Sequence, residues 1–443
     1  MSIHVQLKRQ IGIRTATALV VGEVIAVGIF LTPAGMAKSL GSPFWLLVVW
    51  IVMGAMAAAG ALCYGELAAR YPEAGGGYVY LREAYGRPLA FLYGWMALLV
   101  MDPGLTAALG VGLASYAGYS FGLSAVAIKL TAVVVIAFLA VVNVLGVRLG
   151  GGLLRWLTFV KLALLLFLIL WAIICRLGDW SNFTPFISQR AGSTPLLGAL
   201  AGGMVAAFFS FGGWWDVTKL GGEVREPEKT LPRALIYGVG IVTLVYVLTS
   251  AVFFYLVPLE TVTSGETFAA QAGEVLFGKA GAQVFSGIVI VAILGSLAAL
   301  IMSGPRVYFA MARDGLFFPA AASLHPRFGT PARAIALQAL LASILVALGS
   351  FNQIIGYFIF VVVIFIALTV AGLFLLRRKS STQPGYLTPG YPVTPIVFLL
   401  LVAVLLVLLG SSNPKQSMLG VGVVALGVPV YYVFFRRRLA GNK

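Results

Sequence analysis

Glu23, Asp102 and Lys161 each fall inside an apolar stretch long enough to cross a bilayer. A charge at mid-helix costs about 2.5–3.5 kcal/mol on insertion scales, so such a side chain faces a partner or a cavity. Lys161 stands about nine residues into its stretch, roughly 12 Å deep at about 1.5 Å per residue. Its ammonium either meets a polar partner inside the protein or snorkels back to the surface. Glu23 has three chemistries open to it: proton carrier, partner for Lys161, or neutral acid donating a hydrogen bond. Asp102 heads the run Asp102-Pro103-Gly104. Turned to a cavity it would select a cationic side chain or amine; turned to the outer scaffold it would accompany a kink at Pro103.

Two glycine-bearing segments offer backbone chemistry instead. One is Gly22-Glu23-Val24-Ile25-Ala26-Val27-Gly28, running on to Pro33; the other is Phe208-Phe209-Ser210-Phe211-Gly212-Gly213-Trp214-Trp215-Asp216. Glycine beside proline or polar residues lets a helix unwind, and unwound backbone is tolerated in a bilayer only where it is buried in protein or lines a cavity. Close packing of small residues is the plainer reading of either segment taken singly. An unwound helix exposes free N–H groups on one half and free carbonyls on the other. That pair of poles suits a zwitterion, the N–H groups receiving a carboxylate and the carbonyls an ammonium.

Other chemistries are missing. There is no Gly-rich nucleotide loop, no His/Cys metal cluster and no Ser/His/Asp set, and His4 and His325 are the only histidines. No cofactor, metal, catalysis or ATP-driven pumping is expected. Cys63 and Cys175 both fall at apolar stretches and read as unpaired small hydrophobes.

The elements that must position these residues follow from composition. Of 443 residues 60% are hydrophobic and 10% charged, against about 45–50% apolar and about 25% charged in soluble domains. That excludes a cytosolic enzyme, a disordered chain and a secreted disulfide scaffold. The net charge of +16 would suggest nucleic acid in isolation; with this hydropathy it marks the cytoplasmic side of a polytopic membrane protein, and no nucleic-acid partner is expected. Lys8, Arg9 and Arg14 feed a long apolar segment without a convincing cleavage site, so no cleaved signal is expected.

A spanning helix needs about 20 apolar residues. The pattern predicts an all-α protein of twelve spans, at 11–37, 43–69, 88–118, 123–146, 153–176, 197–220, 234–258, 276–312, 333–350, 352–376, 391–411 and 416–435. With both termini inside, 23 of the 30 Lys and Arg fall at cytoplasmic ends and loops, among them Lys219, Arg306, Arg377 and Arg436 to Arg438, and seven fall elsewhere. That bias supports an even count with a cytoplasmic start and finish in the cell membrane. Breaks near Gly28 and Gly212 each open a block of five spans, 11–176 and 197–376. Matching breaks in two halves point to an inverted-repeat (5+5) transporter with discontinuous helices one and six, the last two spans (391–435) standing outside the repeat.

Four stretches carry a family likeness: Gly28-Ile29-Phe30 with Pro33; Tyr64-Gly65-Glu66-Leu67 running to Pro72-Glu73-Ala74-Gly75-Gly76-Gly77-Tyr78; Phe211-Gly212-Gly213-Trp214 with Glu223-Val224-Arg225-Glu226-Pro227; and Arg306 with Ala312-Arg313-Asp314-Gly315. On these the chain resembles the amino acid–polyamine–organocation (APC) superfamily, in particular its L-amino acid transporter branch. The resemblance implies a substrate at the bilayer midplane between spans one, three, six, eight and ten. The amides of Ala26, Val27 and Gly28 would hold its carboxylate, the carbonyls of Val24, Phe209 and Gly212 its amino group, and Phe209 would be the outer gate. Lys161 would replace the sodium ion that related transporters place between spans one, five and eight, its ammonium reaching carbonyls near Gly22 and a hydroxyl such as Ser296.

The family reads Gly-Ser-Gly where this chain has Ala26-Val27-Gly28, and stiff Val27 implies a narrower pocket with fewer polar contacts. Animal members of that branch join a heavy chain through a cysteine after span three. Residues 119–123 contain none, so no disulfide-linked heavy chain is expected. The charged run Glu223, Arg225, Glu226, Glu228, Lys229 and Arg233 reads as a solvated connection, though the family uses it at the inner gate; Glu66, Arg70, Glu73 and Arg82 admit the same two readings. The likeness implies sodium-independent carriage of neutral, small to medium or apolar L-amino acids by alternating access, as exchanger or proton symporter. A cationic amino acid or polyamine carrier is the nearest alternative, then an ion channel or a membrane receptor.

Overall fold

The structure is a computed structural model that describes residues 7–262, 268–348, 359–379, 385–412 and 414–435. Among them every regular element is helical, with only two isolated bridges, Ile11 to Val224 and Ala74 to Leu220. The first helices are α1 (Ile13–Val24), α2 (Gly28–Leu40), α3 (Pro43–Arg70), α4 (Gly77–Tyr85), α5 (Arg87–Met96), α6 (Asp102–Phe121), α7 (Ala125–Val144) and α8 (Val147–Ile174). Then come α9 (Leu196–Phe211), α10 (Pro227–Leu256), α11 (Phe268–Phe277), α12 (Gly281–Ser303), α13 (Pro305–Arg313) and α14 (Ala332–Leu348). Helices at Ile359–Lys379, Val393–Ser412 and Pro414–Ala425 follow.

Among the described residues ten helices are long and apolar enough to span a membrane; α1 and α2 form a further pair bent by 44°, and α14 is a shorter apolar helix of 17 described residues. Residues 349–350 and 352–358 of the expected ninth and tenth spans, and Arg436 to Arg438, lie outside the described residues. The sequence pattern passed over α4, a nine-residue helix between the second and third spans.

Local chemistry sets many boundaries. Ser42 accepts the amide hydrogen of Trp45 and Pro43 follows it, so α3 starts with a side-chain cap and a proline that needs no donor. The same proline device opens α5, α6, α10 and α13. α7 and α8 turn large apolar side chains outward, including Leu130, Val134, Phe138, Trp156, Phe159 and Leu166; an apolar outer face is what a lipid-facing helix requires. Inward, α1 packs on α8, α10 and α12, α2 packs on α9, and α6 packs on α12. The two interrupted elements therefore sit at the centre, walled by longer helices.

Candidate functional site

The first helix stops at Val24, leaves Ile25 to Val27 outside regular helix, and restarts at Gly28. The second break follows Phe211: Gly212 is extended, Gly213 takes φ +103°, and a 3-10 turn runs from Trp214 to Lys219. That φ is the left-handed region open to glycine. The breaks touch. A Cβ on Gly28 would lie 2.7 Å from the Ser210 Cα, and Thr32 Oγ1 is 3.0 Å from Ser210 Oγ. The Tyr246 hydroxyl, from α10, reaches the Val24 carbonyl at 2.9 Å and the Ser210 carbonyl at 2.7 Å.

Between the breaks lies a cavity of about 90 Å³, small beside the roughly 300–1,000 Å³ of pockets for drug-sized ligands. Val24, Ala26, Val27, Gly28, Phe209 and Gly212 all line it, with apolar walls from Met101, Leu105, Leu109, Leu300 and Val362. The polar groups are backbone ends, Ser210 and two carboxyls, Glu23 and Asp216. Val27 and Gly28 amides find no backbone acceptor among the described residues, as at any helix start. Two groups expected to be free are engaged. The Ala26 amide donates to the Val24 carbonyl at 2.8 Å, and that carbonyl shares the single Tyr246 hydroxyl hydrogen with the Ser210 carbonyl. The Phe209 carbonyl accepts from Gly212 N at 3.2 Å and keeps one lone pair.

Lys161 does not snorkel. It is fully buried, and Nζ donates to the Gly22 carbonyl at 2.9 Å, the Ile25 carbonyl at 2.5 Å and Ser296 Oγ at 3.4 Å. Ser296 in turn donates to the Gly22 carbonyl at 2.7 Å. These contacts tie the last turn of α1 to α8 and α12, beside the cavity rather than in its wall. No ion pair joins Lys161 to Glu23 among the described residues: the Lys161 hydrogens go to Gly22, Ile25 and Ser296, while Glu23 lines the cavity with Asp216.

Asp102 faces neither the cavity nor the outer scaffold. Its Oδ1 accepts from Lys219 Nζ at 2.9 Å and its Oδ2 from the Tyr308 hydroxyl at 3.1 Å. Lys219 also donates to Asp216 Oδ2 at 2.9 Å. The expected selectivity role for Asp102 is thereby corrected: its charge already has a partner inside the protein. A π-helical turn over Ala97–Met101 delivers it, in place of a simple proline kink. Lys219, counted among loop charges, is 1% exposed, and the reason is the same pairing. Sequence reasoning missed Asp216 and Lys219 as site residues. Their spacing was the available signal, because residues three apart eclipse in a 3-10 turn.

Arg306 and Glu223, expected at a solvated surface, are also buried and joined, with Nε to Oε1 at 2.6 Å and Nη2 to Oε2 at 3.1 Å. Glu66 is buried and accepts from Arg377 and from the Thr388 amide at 2.8 Å. Arg225, Glu226, Glu228 and Lys229 do lie at the surface. Among the described residues no group of His, Cys, Asp or Glu could hold a metal ion. Cys63 is buried as expected; Cys175 is exposed at the end of α8.

Comparison with known proteins gives this geometry a family. Residues 11–435 match the family model described as amino acid permease. A serine/threonine exchanger of Bacillus subtilis is 33% identical over 442 residues, covering 98% of each chain. The large neutral amino acids transporter small subunit 2 of Mus musculus is 29% identical, over 97% of this chain and 81% of its own. The human cystine/glutamate transporter is 30% identical over 97% of this chain and 86% of its own. These relatives are transporters, not enzymes. With its apolar helices and a small cavity between two helix breaks, the chain belongs to the amino acid permease family of the APC superfamily, a family of multi-pass membrane transporters.

Proposed function

We propose that the chain is a sodium-independent secondary transporter of L-amino acids, neutral and small to medium or apolar, working by alternating access. The observation that carries this reading is the cavity of about 90 Å³ between the two helix breaks. Its size suits a single small amino acid. The free amides of Val27 and Gly28 would take the carboxylate, and the carbonyls of Phe209 and Gly212 the ammonium. Phe209 would close the site on the outer side. The Lys161 ammonium, bonded to Gly22, Ile25 and Ser296, would do the work of a sodium ion in bracing the first span.

The frame of the proposal is twelve spans in two inverted halves of five, 11–176 and 197–376, followed by two more, in the cell membrane with both ends cytoplasmic. The exchanger among the relatives supports exchange as the mode, and the short 119–123 connection without cysteine supports a carrier that works without a disulfide-linked heavy chain. The reading is tested in sodium-free proteoliposomes loaded with labelled amino acid. External alanine, serine or leucine is expected to accelerate efflux. Efflux indifferent to every external amino acid, or dependent on sodium, defeats the reading.

One observation favours a second reading. Glu23 and Asp216 put two carboxyls into the cavity wall, which would suit a cationic amino acid or polyamine. Competition by arginine or putrescine, exceeding that by alanine and leucine, would select it.

A further inference from the structure

Away from the two breaks, the ends at which α1 and α8 begin border a second cavity of about 440 Å³, within the roughly 300–1,000 Å³ of small-molecule sites. Four guanidinium groups line it: Arg14 on α1, Arg148 and Arg155 on α8, and Arg225 on the connection that precedes α10. All four residues are exposed, and none takes part in an ion pair among the described residues. No aspartate or glutamate shares the lining. Glu223 and Glu226, on either side of Arg225, are bonded to Arg306 and Lys229 instead. Arginine is always charged in a protein, so the lining gathers four positive charges that no carboxylate beside them offsets.

The backbone adds to the same field. α1 and α8 start behind Gly12 and Gly146, and neither start has a side-chain cap. The amides of Ile13 and Arg14 on one helix, and of Val147 and Arg148 on the other, find no backbone acceptor among the described residues; such helix starts carry partial positive charge. The arginines also sit on elements that already touch. The Arg225 amide donates to the Ile11 carbonyl at 2.8 Å, and Thr158 on α8 donates to the Ala18 carbonyl on α1 at 3.2 Å. A Cβ on Gly12 or Gly152, both in the lining, would meet nothing within 4 Å. Along α8, Arg148, Gly152 and Arg155 share a face that continues one turn on to Phe159, which is 70% exposed. The face thus passes directly from charge to hydrocarbon.

We propose that this cavity binds a phosphate-bearing anion whose oxygens tie α1 to α8. Guanidinium groups meet phosphate oxygens in paired hydrogen bonds, and basic pockets between spanning helices suit phospholipid headgroups. The Phe159 face favours an anionic phospholipid as the source, its acyl chains lying along the apolar turn while the phosphate meets the arginines. The bound phosphate closes the outer end of a seam that Thr158 and Lys161 hold further in. The inference goes beyond the transporter reading, because the anion is held whether or not an amino acid is carried.

The test follows the thermal midpoint of the full-length chain in a non-ionic detergent. Dihexanoylphosphatidylglycerol, zwitterionic dihexanoylphosphatidylcholine or inorganic phosphate is titrated in at constant ionic strength. A ligand of the folded chain raises the midpoint with its concentration. Phosphatidylglycerol is expected to raise it to saturation and phosphatidylcholine to leave it near its starting value. A rise with the anionic lipid alone assigns the site to a headgroup; an equal rise with inorganic phosphate assigns it to the free ion. Arg148→Gln with Arg155→Gln should weaken apparent affinity about fivefold for each arginine removed. Gly152→Glu, which puts a carboxylate into open space, should abolish the rise, and Arg333→Gln, an exposed arginine outside the cavity, should respond like wild type. Arg148→Gln and Arg225→Gln, single changes on separate elements, take the place of the double variant if it fails to fold. No rise with either anion, or a wild-type response from the arginine variants and Gly152→Glu, would overturn the proposal. These readings need no transport, so failed counterflow removes the transporter reading alone and a silent titration removes this site alone.

Discussion

A fully buried lysine with three hydrogen-bond partners is held for its hydrogens. Lys161→Ala leaves the Ile25 carbonyl without its short bond, while Ser296 still serves Gly22. Unsatisfied buried groups cost about 1–3 kcal/mol, so the protein should fold with a lowered thermal midpoint. Exchange in sodium-free liposomes is expected to fall at least tenfold, equivalent to about 1.4 kcal/mol. Lys161→Met, which keeps the volume and removes the donors, should behave alike; wild-type exchange by either variant would end the bracing role. The depth of Lys161 could be counted along the chain, so its need for a partner was legible. Lys219 and Arg306 were not, because a charge count assigns every cation near a span end to water. Each is neutralised by a carboxylate far away in sequence, Asp102 for Lys219 and Glu223 for Arg306, and no spacing rule connects such positions; only the Asp216–Lys219 pair, three residues apart, left a local trace.

At the scale of elements, the breaks were visible because glycine and proline act locally. Gly28 sits where α2 restarts the first span and Gly212 just past the end of α9, whereas α4 was hidden by its glycine-rich approach, Gly75-Gly76-Gly77. Which backbone groups the breaks leave free was hidden too, since Tyr246 arrives from α10 to claim the Val24 carbonyl. The contact of the breaks makes Gly28 sensitive to a single methyl. Its Cβ would fall 2.7 Å from the Ser210 Cα, which belongs to the backbone and cannot swing aside. Gly28→Ala is expected to cost about 1–3 kcal/mol by overpacking and to abolish most exchange. Gly240→Ala, where nothing lies within 4 Å of the new methyl, is its control and should leave both melting and exchange near wild type. Equal behaviour of the two variants would show that the breaks need not touch.

Over the whole molecule, hydropathy reports the outer surface and says little about the inside. Val134 on α7 is 64% exposed on a helix with little of its surface covered by protein. Val134→Lys is expected to cost about 2.5–3.5 kcal/mol at insertion, read as a drop in protein recovered from the membrane fraction, whereas Val134→Leu should be neutral. Undiminished recovery of the lysine variant would mean that this face does not meet lipid. Inside the bundle, the arrangement around the cavity turns on one phenol. Tyr246 owns a single hydrogen yet stands 2.9 Å from the Val24 carbonyl and 2.7 Å from the Ser210 carbonyl. At any instant it clasps one broken rod and merely rests against the other. The latch between the two rods is thus half undone before any movement begins, and either rod can leave without the other losing its hold.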